Sequence, residues 1–177
     1  MKNTLTAAFG LLLIILGSCK NEPIEPNNRY FVTASLNGET WSTTLVIGSL
    51  KNGSVNEARI SMFVFNDEGV LRESFSIYNL PLTEGLHFIN PYISGEIPDS
   101  LFTFYHTSVD DGDVTGTFYH SSGDSSDYVR VLNYDPLTGD IEASFHVRLV
   151  TDVQTISPGD PEEVLFEDGY FKTKLKM

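Results

Sequence analysis

The sequence predicts an all-β fold, an antiparallel sandwich or barrel of about ten strands in a single domain. Three observations carry that reading. Apolar and polar residues alternate with a period of two through much of the chain after residue 29, most clearly over Ile141–Leu149. Turn-forming clusters recur between the alternating runs: Asn37-Gly38, Asp67-Glu68-Gly69, Asp110-Asp111-Gly112-Asp113 and Asp135-Pro136-Leu137-Thr138-Gly139. No stretch shows a sustained 3.6-residue period with helix caps.

The first element is not part of the fold. Lys2 gives a positive start, an apolar stretch follows from Leu5 to Leu16, and the small residues Gly17 and Ser18 precede Cys19. That order is the pattern of a secretory signal peptide over residues 1–18. Its apolar core is shorter than the about 20 residues a membrane-crossing helix needs. Leu16-Gly17-Ser18-Cys19 resembles the lipobox of bacterial lipoproteins, which implies a lipid (palmitate among its acyl chains) on Cys19 and cleavage just before it. Cys19 is the single cysteine, so it has no intramolecular disulfide partner. Residues 19–28 then read as lipidated cysteine plus flexible tether, because Lys20 to Asn28 are polar apart from Ile24 and two prolines. Nine extended residues reach roughly 30 Å. The domain itself is expected over residues 29–177.

In the domain, Tyr30, Val32, Ala34 and Leu36 alternate with Phe31, Thr33 and Ser35 up to Asn37-Gly38. Both turn residues tolerate positive φ, so a type I′ hairpin is expected. Trp41 opens the return strand through Ile47. A third strand covers about 58–66 and a fourth 70–78. Pro81, Pro91 and Pro98 punctuate a looser segment with a short strand near Leu86–Ile89. Leu101–Ser108 and Val114–Ser121 form a further hairpin. Tyr128–Tyr134 leads through the Asp135-Pro136 turn to Ile141–Leu149, whose odd positions are apolar and whose even positions are polar. A loop at Ser157–Pro161 precedes a final pair of strands, Val164–Glu167 and Tyr170–Lys176. In the last, Phe171, Thr173 and Leu175 oppose Lys172, Lys174 and Lys176, a solvated face that also keeps a strand from aggregating.

Charge narrows the function. The full chain carries −13; removal of residues 1–18 takes away one lysine and no acid, leaving 10 basic and 24 acidic residues, or −14. Between Arg72 and Arg130 there is no lysine or arginine, and nine acids fall in that interval. Such a surface repels phosphate backbones, so nucleic acid is excluded as a partner.

Chemistry-bearing groups are few. The acidic turn Asp110, Asp111 and Asp113, with Asp124 and Asp127 a hairpin away, offers oxygen ligands of the kind calcium takes, without the twelve-residue spacing of an EF-hand. His106 and His120 lie on the two strands of one hairpin. A two-residue loop pairs residues summing to 223 and puts them on opposite faces; a three-residue loop makes the sum 224, and they share one. His87 and His146 have no close sequence partner. No nucleophile elbow, His-Glu-x-x-His or phosphate loop is present, so no catalytic residue and no cofactor is assigned. Paired carboxylates distant in sequence remain open to a hydrolase. Most of the twelve phenylalanines are expected in the core, while Tyr78, Tyr92, Tyr105, Tyr119, Tyr128 and Tyr134 offer a stacking platform for sugars or peptides.

Four segments carry a family resemblance over about residues 30–176. They are Phe31 to Trp41 (FVTASLNGETW), Leu80 to Ile89 (LPLTEGLHFI), Val131 to Phe145 (VLNYDPLTGDIEASF) and Gly169-Tyr170-Phe171. Together they resemble a family of Bacteroidota lipoproteins whose all-β domain has no assigned function. Glu142-Ala143-Ser144 stands where that family usually has a glycine-threonine pair before phenylalanine. Lys20 after Cys19 resembles the outer-membrane sorting pattern, and Lys20 with Glu22 resembles the surface-export signal of such lipoproteins, with Asn21 interposed. The resemblance implies a lipid-anchored outer-membrane domain, possible surface display, and no catalytic residues. The expected function is a non-enzymatic binding module for a glycan, a peptide or an envelope protein. The alternatives are a structural or assembly component of the envelope, or a carboxylate-dependent hydrolase.

Overall fold

The structure is a computed structural model and describes residues 30–51, 54–93, 98–151 and 156–176. The leader, Cys19 and the tether lie outside the described residues. The strands are β1 (Phe31–Leu36), β2 (Glu39–Thr43), β3 (Leu45–Leu50), β4 (Glu57–Phe65), β5 (Leu71–Pro81) and β6 (Gly85–Phe88). They continue as β7 (Phe102–Val109), β8 (Val114–Ser121), β9 (Tyr128–Tyr134), β10 (Asp140–Thr151) and β11 (Glu163–Lys176). The fold is all-β, with no helix among the described residues.

The hairpin at Asn37-Gly38 forms as its residues require. Leu36 pairs with Glu39 across a two-residue loop, and φ is +52° at Asn37 and +86° at Gly38. The expected return strand divides at Thr44 into β2 and β3. Its corner residue is Thr43, whose hydroxyl donates to Phe63 O (2.6 Å) and accepts from Leu45 N–H (3.1 Å). The chain thereby leaves β1 and joins β4.

Strand pairing runs β2-β1-β11-β3-β4-β5-β7-β8-β10-β9-β6, and an additional β10–β11 ladder closes a ring of seven strands. Closure depends on two forked edges. One edge of β10 pairs with β9 over Ile141–His146 and with β8 over Leu149–Thr151. At that fork Asp127 Oδ1 accepts the Arg148 N–H (2.8 Å), capping a backbone donor between the two neighbours. One edge of β11 pairs with β1 over Phe166–Lys172 and, in parallel, with β3 at Leu175 and Lys176. The result is a flattened barrel. One wall is β3-β4-β5-β7-β8, and the other is β2-β1-β11-β10-β9-β6.

The core lies between the walls. Ile141, Ala143, Phe145, Val147 and Leu149 are all buried, as the alternation requires. Phe75 on β5 stacks on Phe166 of β11 (4.7 Å) and on Phe145 of β10 (5.3 Å), so aromatic contacts join the two walls. Trp41 packs edge-on against Phe166 at 5.2 Å. Gly169 faces Phe145 so closely that a Cβ there would lie 2.5 Å from the ring. In β11, Phe171, Thr173 and Leu175 point inward, with the three lysines outward.

The final pair of strands is in fact one strand of 14 residues. Asp168, at φ +50°, is an extra residue relative to both neighbours, and the register shifts beside it on β1 and on β10. Asp168-Gly169, which lies between the two expected strands, is a β-bulge.

Candidate functional site

The outer face of the five-stranded wall carries the most distinctive arrangement of side chains. Two register lines cross all five strands. Ile47, Ser61, Ser76, Phe104 and His120 lie in one; Leu45, Phe63, Ser74, His106 and Phe118 lie in the next. In the first line serines occupy the middle strands β4 and β5 with large side chains on both sides; in the second, Ser74 does so on β5, while Phe63 stands on β4 beside Leu45. The serines are small and overshadowed, at 5–7% exposure, whereas Leu45 and Ile47 are 42% and 39% exposed. The face is therefore a trough with a floor of Ser61, Ser74 and Ser76, a wall of Leu45 and Ile47 on β3 continued by Phe63 on β4, and an aromatic wall on β7–β8. Four strand spacings make it roughly 19 Å wide between strand axes. Ser61 and Ser76 are hydrogen-bonded to each other across the floor at 3.0 Å.

The aromatic wall is a continuous set of ring contacts outside the core. Tyr78 stacks on Phe102 at 4.9 Å, and Phe104 meets Phe118 at 4.8 Å. Tyr92, from the segment leading to β7, lies edge-on to Phe104 at 4.7 Å and tilted against His120 at 5.6 Å. Tyr92 N–H donates to Ser121 O and Asn90 N–H to Leu101 O, which fixes that segment on the sheet. Arg59 sits 4.4 Å over the Tyr78 ring and brings a cation to one end of the trough. At the β3–β11 corner Ile47 also lines an open groove of about 410 Å³ with Tyr30, Lys174 and Lys176.

The six tyrosines do not form one platform. Tyr78 and Tyr92 belong to the trough wall. Tyr105 and Tyr119 are buried inside the barrel, Tyr128 stacks on His146 on the outside of the other wall, and Tyr134 packs against the core. Phe102, Phe104 and Phe118 depart from the expectation of a core role and build the outer wall. The signal for them is in β7, where aromatics stand at both even and odd positions, 102, 104 and 105. A strand aromatic on both faces covers more than one core.

His106 and His120 share a face, because the pairing sum is 224 at both. A bulge between His106 and Ser108 reconciles this with the sum of 223 near the turn. Burial holds the His106 imidazole below its ordinary pKa. His87 bonds Thr83 O at 2.8 Å. In the acidic turn the Arg72 guanidinium donates to Asp110 O, and a shared hydrogen bond lowers the Asp111 carboxyl while raising that of Asp113. Asp124 accepts from Ser126 in its own turn, and Asp127 is buried at the β10 fork. Among the described residues no group of three His, Cys, Asp or Glu side chains is placed to hold a metal ion.

A second polar cluster lies inside one end of the barrel. Glu73 Oε2 accepts both the Trp41 indole N–H (2.6 Å) and the Tyr105 hydroxyl (2.9 Å). Asp160 Oδ2 accepts from Thr117 (2.5 Å) and Thr107 (3.5 Å), and Tyr119 donates to Pro161 O. Burial, with Glu73 next, holds the Tyr105 phenol well above its ordinary range. These bonds tie β2 and the Ser157–Pro161 segment to the barrel end, so both carboxylates serve as acceptors that position neighbouring elements. Compared with known proteins, the chain matches no family model, no curated protein and no solved structure.

Proposed function

We propose that this is a non-enzymatic, lipid-anchored envelope domain that binds a glycan along the outer trough of the five-stranded wall. The observation that carries the reading is the line Ile47-Ser61-Ser76-Phe104-His120, a hydroxyl floor between apolar walls on the solvent side of the sheet. Sugar rings present C–H faces that stack on aromatic rings, and their edges are hydroxyls that exchange hydrogen bonds with serine, arginine and imidazole. The net charge of −14 on residues 19–177 favours a neutral or cationic glycan over an acidic one. The leader, Cys19 and the polar tether support attachment at the outer membrane, with the trough held out from the bilayer.

The test is a thermal-shift and calorimetric titration with neutral oligosaccharides of glucose, xylose and N-acetylglucosamine. A ligand at about 100 times its Kd stabilises by roughly 2.7 kcal/mol, a rise of a few degrees. Ser76→Leu, which fills the floor, and Tyr78→Ala, which removes a section of the wall, are expected to abolish the rise. A flat response to all three sugars, or binding indifferent to both substitutions, overturns the proposal.

A further inference from the structure

Among the described residues β6 pairs on one side only, with β9, and the register identifies which of its backbone groups are left over there. Ile89 N–H donates to Asp127 O at 3.1 Å, so the 89/127 pair is a hydrogen-bonded one. Antiparallel pairs alternate, which makes His87–Val129 and Gly85–Val131 hydrogen-bonded as well. The N–H and C=O of Leu86 and Phe88 therefore point away from β9, to the open edge. Their side chains are also 40% and 60% exposed. The other lateral strand, β2, differs: it turns Trp41 inward and shows Glu39, Thr40 and Ser42 outward. An edge with both free backbone groups and bare apolar side chains is a template for another strand.

We propose that β6 takes an extended segment of a partner protein as an added antiparallel strand, with apolar residues opposite Phe88 and Leu86 and a basic residue opposite Glu84. The free N–H and C=O groups of Leu86 and Phe88 supply four backbone hydrogen bonds. Glu84, exposed just before β6 and without an ion-pair partner among the described residues, selects the basic residue. The net charge of −14 on residues 19–177 likewise favours a basic partner. A second copy fits poorly. It brings a net charge of the same sign as the edge it would cover. This surface is separate from the trough and does not depend on glycan binding.

The probe is a fluorescent peptide centred on Val-Thr-Val-Thr-Lys, followed by anisotropy against the full mature chain. Binding is expected, with a loss of about tenfold or more when both valines are N-methylated, since each methyl removes a backbone donor at the edge. Glu84→Lys leaves the strand intact; it is expected to weaken this peptide and to favour the version ending in Glu. Three results overturn the proposal. They are no binding at millimolar peptide, equal binding of the N-methylated peptide, or a concentration-dependent dimer that Phe88→Glu dissociates, which would assign the edge to a second copy.

Discussion

Asp127 is a fully buried carboxylate at the point where β10 exchanges β9 for β8. Its Oδ1 caps the Arg148 N–H, and its Oδ2 has no donor among the described residues. Burial raises its pKa, and the bond from Arg148 opposes that rise only incompletely. A carboxyl whose folded pKa lies above its unfolded value of about 3.9 binds its proton more tightly when folded. Its contribution to stability is therefore greatest below that value and is lost as pH rises through the folded pKa. Asp127→Asn keeps the cap and removes the charge. In urea melts from about pH 4 to pH 7, the stability of the natural chain relative to this variant is expected to fall as pH rises. A difference constant with pH would refute the assignment. None of this is legible in the sequence, where Asp127 is one more acid near a turn. Burial at a fork depends on β8 and β9 meeting the same edge, which no local pattern encodes.

Among the elements, β11 shows what alternation can and cannot convey. The period of two places Phe171, Thr173 and Leu175 inward correctly, and the same rule accounts for β10 and for the Asn37-Gly38 hairpin. It divides β11 wrongly, because Asp-Gly is the composition of a tight turn and of a bulge alike. The distinction lies in the neighbours: β1 and β10 both continue past Asp168, each with a one-residue shift. A β-branched residue cannot hold φ +50° without strain, whereas glycine can. Asp168→Val is expected to destabilise the domain by about 1–2 kcal/mol and Asp168→Gly by less, measured by chemical denaturation. Equal effects would mean that the bulge is not set by this backbone conformation. The trough is legible to a similar extent. Its floor and walls sit at fixed parity on five strands, but the lines joining Ile47 to His120 exist only once the register of four ladders is known.

At the scale of the whole molecule, the all-β architecture is legible from turn spacing and the absence of helical periodicity. The closure is not, because it depends on β10 and β11 each keeping two neighbours along one edge. Closure also ranks the strands. β10 is hydrogen-bonded along both edges and buried on its inner face, while β6 is short and, among the described residues, paired on one side. Native-state hydrogen exchange is expected to find the slowest amides in Ala143–Leu149 and fast exchange at Leu86 and Phe88. Protection of Leu86 and Phe88 equal to that of β10 would contradict the open edge.

The position of β1 has a mechanical consequence. From Tyr30 the chain passes at once into β1, which lies between β2 and β11. A pull on the preceding segment along the strand axis loads both ladders in shear, so their hydrogen bonds resist together and do not break singly. Beyond β1, the same load reaches β11 and, through it, the long β10–β11 ladder. Force arriving from the side of the proposed lipid would thus meet the long β10–β11 ladder of the described strands first, and would reach the trough wall only through the short β11–β3 and β10–β8 ladders.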